Sequence, residues 1–159
     1  LMFSATLTGS IISNYEHAFE VMPVLVSFIP MLMDTGGNCG SQSSTLIIRG
    51  LAIDEIKFSD FFKVVFKEFR ISIVVGIMLG IANGIRIVLL NHDVYLAFVV
   101  SASIVVTVMI SKFVGCVLPI VAKRLKMDPA IMAAPLITTI VDTLAIMVYF
   151  SIASQIFNL

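Results

Sequence analysis

The chain has 159 residues, 59% of them apolar and only 13% charged, with a mean hydropathy of +1.09. Soluble domains carry about 25% charged residues, so this composition excludes a soluble core and points to one compact unit of several membrane helices. Ten basic residues balance ten acidic ones, which leaves bulk electrostatics silent about partners, and the sequence carries no nucleic-acid motif.

Five apolar segments are expected. The first, Leu1 to Tyr15, is short, as a truncated span would be. It lacks the basic start of a cleavable signal, and the chain opens in mid-helix pattern without Met at position 1. It therefore reads as a piece of a longer protein.

The second segment, Val21 to Ala52, is the informative one. Val21 to Met33 is uncharged and holds two prolines, and Leu46 to Ile48 is again apolar. Between them stand Asp34-Thr35-Gly36-Gly37-Asn38-Cys39-Gly40-Ser41-Gln42-Ser43-Ser44. Neither flank reaches the ~20 residues of a helical span, so the polar middle must lie at membrane depth too, as a broken span. Its backbone and amide groups must then be buried in protein or line a wet cavity. Asp34, Asn38 and Gln42 recur every four residues and share one face if the stretch is helical. Gly36, Gly37 and Gly40 permit either kinks or close helix approach. Buried amides demand partners, so Asn38 and Gln42 either tie helices together or face water.

Phe58, Phe61, Phe62, Val65, Phe66 and Phe69 follow at helical spacing, with Ser59, Asp60, Lys63 and Lys67 opposite. This predicts an amphipathic helix lying at the inner interface, either a connector or a contact for a cytoplasmic regulatory domain. The third segment, Ile71 to Leu90, carries Gly76, Gly80 and Gly84 as a small-residue packing face, read as helix packing within one subunit. The fourth begins at Val94 and stays uncharged through Ser111, and the fifth runs from Ala130 to Phe157. Segments three and four lack a polar face, which excludes long soluble helices. Cys39 and Cys116 sit inside apolar segments and suggest no disulfide framework.

Basic residues set the expected orientation. Arg49, Lys57, Lys63, Lys67 and Arg70 lie between segments two and three, and Lys123, Arg124 and Lys126 between four and five, with Lys112 able to reach the same side. The other loops hold His17, Glu20, His92 and Asp93, and Arg86 can snorkel to the outer interface. The basic loops are therefore expected in the cytoplasm and the C-terminus outside.

Asp142 lies thirteen residues after Pro129, about 20 Å along a helix. A carboxylate at that depth is expensive and is a functional candidate by default, the alternative being a protonated acid paired with a neighbouring helix. Thr138, Ala145 and Tyr149 fall on the same row, and Thr138 and Ala145 suit a water-lined surface. Thr139 and Thr143 are candidates for bonding back to their own helix. Asp128 before Pro129 reads as an N-cap with Pro at the first helical position, compatible with a second role at a cytoplasmic mouth. His17 and His92 have no metal-ligand spacing around them, and no nucleophile triad, phosphate loop or zinc pattern is present. The sequence therefore gives no support for enzymatic chemistry.

Pro30-Met31-Leu32-Met33-Asp34-Thr35-Gly36-Gly37-Asn38-Cys39-Gly40-Ser41-Gln42 resembles the signature of the MgtE family of magnesium channels. Asp128-Pro129-Ala130, Pro135, Thr138-Thr139 and Asp142 resemble that family's last membrane helix. The resemblance covers essentially residues 1–159 as one transmembrane ion-conducting domain. It implies an all-α membrane protein of five transmembrane helices in the cell (inner) membrane. It also implies a homodimer whose central pore is lined by the second and fifth helices. Asp142 would hold hydrated Mg²⁺, the transported and bound ion, and Asp128, the second metal candidate, would lie near the cytoplasmic entrance. Asn38, Gln42, Asp34, Gly37, Thr138, Ala134 and Ala145 become pore-lining candidates. Some relatives carry an amide at the position of Ala134 and glycine at that of Ala145. The cytoplasmic N-domain and CBS domains of full-length members, which sense magnesium, are not in this chain. The reading is inward Mg²⁺ conduction. The rivals are a proton- or sodium-coupled divalent-cation transporter with Asp142 binding the proton, and a non-transporting membrane assembly subunit.

Overall fold

The computed structural model describes residues 22–158 together with Thr6, Gly9, Ser10 and Ser13, and for 131–134 the backbone alone. The expected first segment falls, apart from those four residues, outside the described ones. From Pro23 onward the chain is a 3-10 turn, Pro23–Phe28, and four long helices. These are α1 (Ile29–Ala52), α2 (Phe61–Asn91), α3 (Val94–Arg124) and α4 (Pro129–Phe157). Stretches within Phe58–Asn91, Val94–Arg124 and Pro135–Phe157 are long and apolar enough to cross a membrane. The polar stretch keeps α1 out of that class.

α1 is not broken. It runs through the glycines as one 24-residue helix, and no described glycine has a positive φ. Of the two uses open to Gly36 and Gly40, close approach is the one realised. A Cβ at Gly36 would sit 2.7 Å from Cγ1 of Val141 and 2.9 Å from Cγ2 of Thr107, and one at Gly40 2.8 Å from Cγ2 of Ile137. Gly115 of α3 returns the contact, since a Cβ there would strike the Gly40 carbonyl. Packing of backbone against neighbouring helices thus offsets the ~1 kcal/mol per glycine that favours breaking an isolated helix. The pairs Gly36–Val141 and Gly40–Ile137 also show that α1 and α4 are antiparallel.

The expected interfacial helix is not separate either. A short 3-10 turn, Phe58–Asp60, leads straight into α2, whose 31 residues make about 46 Å. No glycine or proline stands between Phe61 and Val75 to stop it. Nor do the phenylalanines share one face. Phe61, with Val64 and Val65, packs on the buried cluster of Ile47, Leu51, Cys116 and Ile120. Phe62, Phe66 and Phe69 point outward. Farther along, the glycine row does pack within the subunit. A Cβ at Gly80 would lie 3.1 Å from Cγ2 of Val105 on α3, and the Ser101 hydroxyl donates to the Gly80 carbonyl at 2.8 Å.

The main core joins the 3-10 turn, α1, α3 and α4 through Leu25, Leu32, Val100, Ile104, Val108, Ile146 and Phe150. Side chains start two helices. Asp93 accepts from the Leu96 amide at 3.0 Å to begin α3, and Asp128 accepts from the Ala130 amide at 2.9 Å to begin α4, with Pro129 in its first turn as expected. Both cysteines are free and buried.

Candidate functional site

The continuity of α1 gives its polar residues a defined geometry. Asp34, Asn38 and Gln42 stand one above the other on an exposed face, and the Asn38 amide donates to Oδ1 of Asp34 at 3.0 Å. Four residues per step keeps them nearly aligned. Such groups cannot face lipid.

The glycine side of α1 packs on α4. Gly37 is buried, and a Cβ there would touch Cγ2 of Thr138 at 3.4 Å. Thr138 is half-buried, as is Asp142 one turn later. Because Gly36 meets Val141 and Gly40 meets Ile137, the antiparallel register puts Asp142 at the level of the turn between Asp34 and Asn38. Asp142 has no ion-pair partner among the described residues. α4 looks after its own hydroxyls. Thr138 and Thr139 both donate to the Pro135 carbonyl, at 3.2 Å and 2.7 Å, and Thr143 donates to the Thr139 carbonyl at 3.0 Å. The helix-internal bonding expected for Thr139 and Thr143 is therefore present.

The rest of the candidate row parts company with Asp142. Ala145 is 1% exposed and Tyr149 fully buried, and the Tyr149 hydroxyl donates to the Leu25 carbonyl at 2.9 Å. The C-terminal half of that row is packing, turned into the core by the 3-10 turn, rather than a water-lined surface. Asp128 is exposed at the far end of α4, away from Asp142. Ala134 falls among the residues of which only the backbone is described. No group of three or more His, Cys, Asp or Glu side chains gathers among the described residues.

Sequence reasoning passed over one cluster. Lys112 does not reach the aqueous side. It is 6% exposed, and its Nζ lies 3.3 Å from Oε2 of Glu68 and 3.1 Å from Oγ of Ser43. The signal was available, because Lys112 is the lone charge between Val94 and Ala122, and Glu68 the lone acid of α2.

The sequence model of the MgtE family, described as "Divalent cation transporter", matches residues 29–152. Three curated relatives, each called "Magnesium transporter MgtE", are similar over nearly the whole chain. That of Bacillus subtilis is 38% identical over 154 residues, 97% of the chain. That of Thermus thermophilus is 34% identical over 96% of it, and that of Enterococcus faecalis 32% over 98%. All three are longer, the chain spanning 34% of the length of each. Their names describe transport rather than an enzymatic reaction. With its apolar helices, the match makes this a multi-pass membrane protein. The chain belongs to the MgtE family of divalent cation transporters.

Proposed function

We propose that this chain is the membrane part of a Mg²⁺ channel that conducts the ion into the cytoplasm through a pore between two copies. The observation that carries this is the exposed column of Asp34, Asn38 and Gln42 on α1, set beside the half-buried Asp142 of α4 at the same level. In a bilayer these groups need a wet surface or protein around them, and a twofold-related copy supplies it. The twofold brings two Asp142 carboxylates to one path, which balances a divalent charge. Mg²⁺ dehydrates reluctantly and keeps most of its waters when one or two carboxylates hold it. The amides of Asn38 and Gln42 then bond to that water shell, with Thr138 beneath and Asp128 at the inner mouth. No covalent step takes part.

The positive-inside bias of Arg49, Lys57, Lys63, Lys67, Arg70 and of Lys123, Arg124, Lys126 puts those loops in the cytoplasm and the C-terminus outside the inner membrane. A regulatory domain of the full-length protein would meet the same side. The test is Mg²⁺ flux into liposomes with wild type and Asp142→Asn. Loss of one charged hydrogen bond to the hydrated ion should raise the half-saturating Mg²⁺ by about ten- to a hundredfold. Unchanged half-saturation would remove Asp142 from the path, and flux that followed an imposed proton or sodium gradient would replace the channel by a coupled transporter.

A further inference from the structure

α1 has a back as well as a front. Five residues on from Asn38, Ser43 lies about 140° around the helix at ~100° per residue, and it is fully buried. Its hydroxyl donates to Oε2 of Glu68 at 2.7 Å and accepts from Nζ of Lys112 at 3.1 Å. Lys112 also donates to the same Glu68 oxygen at 3.3 Å. Both charged side chains are 8% exposed. One polar knot therefore ties α1 to α2 and α3, one turn from the place where the backbones of Gly40 and Gly115 meet.

Stability alone does not account for it. A buried ion pair repays its desolvation poorly, and a well-packed apolar pair often serves as well, whereas fixing register is the best-attested use of such groups. α1 needs that service. Its ends are held by Leu32 and Ile47, but between them its buried residues are Gly36, Gly37, Cys39, Gly40, Ser43 and Ser44, a smooth stretch with few side chains to interdigitate. A small rotation would change where Asn38 and Gln42 stand relative to Asp142.

We propose that the Ser43–Glu68–Lys112 cluster is a positioning device. It pins the rotation and axial register of α1, and through them sets how the polar column discriminates among divalent cations. The proposal rests on the reading of α1 and α4 as the ion path. None of the three residues touches the ion.

Two variants of the full chain in liposomes test it. Ser43→Ala removes the hydroxyl and leaves the charges paired. Glu68→Leu/Lys112→Met removes both charges together, a replacement that tends to preserve or raise stability. Three readouts are compared with wild type: melting temperature, half-saturating Mg²⁺ with Mg²⁺/Ca²⁺ discrimination, and the rate at which a water-soluble thiol reagent modifies Gln42→Cys. The expected result for the double variant is an equal or higher melting temperature, with discrimination and the labelling rate each changed by about threefold or more. Ser43→Ala should change both in the same direction. Wild-type discrimination and labelling in both variants would overturn the proposal, as would changes that simply follow a fall in melting temperature. The labelling rate does not depend on ions crossing. Should Asp142→Asn leave transport untouched, the ion-path reading falls, while labelling still decides whether the cluster pins α1.

Discussion

Glu68 and Asp142 are both carboxylates on long apolar helices, and the fold treats them oppositely. Glu68 is buried, bonded by Ser43 and paired with Lys112. Asp142 is half-buried, with no ion-pair partner among the described residues, and lies at the level of the exposed polar column of α1. An acid whose charge is met inside the protein can serve architecture. An acid left without a counter-charge at membrane depth is expensive, and on the proposed reading a cation that comes and goes offsets that cost. The distinction lies in the neighbours, since the two side chains differ by only one methylene.

The sharpest way to break the comparison is to strand Glu68. Lys112→Ala leaves a buried carboxylate unpaired and should destabilise by about 3–5 kcal/mol, read as a lower melting temperature in detergent or as loss of folded protein. Asp142→Asn should do the reverse, leaving the melting temperature equal or higher, because it removes an uncompensated charge. Equal destabilisation by the two substitutions would erase the difference between the acids. Next in size, Gly40→Val forces a branched side chain toward Ile137, where a Cβ alone would stand 2.8 Å away. Overpacking of that kind costs about 1–3 kcal/mol, and it should lower both stability and flux, since it pushes α1 away from Asp142. The smallest effect belongs to Asp128→Ala. Loss of the bond to the Ala130 amide should cost about 1 kcal/mol, seen as a small fall in melting temperature. A loss of Mg²⁺ affinity as large as that of Asp142→Asn would assign Asp128 to the ion rather than to the cap.

The helical class and most span limits were legible from apolar runs, and the column of Asp34, Asn38 and Gln42 from four-residue spacing. Asp128 was legible as a cap because Asp-Pro before an apolar run has a local cause. What escaped the sequence depended on distant partners. Eleven polar and small residues look like a break when α1 is weighed alone. They stay helical because Gly36 and Gly40 meet α3 and α4. The row through Asp142 looked uniform by spacing, yet Tyr149 is drawn into the core by the Leu25 carbonyl, 124 positions away. Lys112 looked able to reach the basic side because it follows a long uncharged run, whereas its partner Glu68 stands 44 positions earlier on another helix. Spacing identifies neighbours on one helix; it does not name the helix that faces them.

The uninterrupted α2 carries a last consequence. Its ~46 Å exceeds the ~30 Å hydrocarbon thickness of a bilayer, while Phe62, Phe66 and Phe69 face outward on its first turns and Leu89 and Leu90 on its last. A rod that long meets a thin membrane by tilting and a thick one by standing upright, each within a fraction of a kcal/mol per Å of mismatch. Glu68 rides on that rod. On the proposal that the Ser43–Glu68–Lys112 cluster pins α1, Ser43 would pass a change in the tilt of α2 on to the polar column.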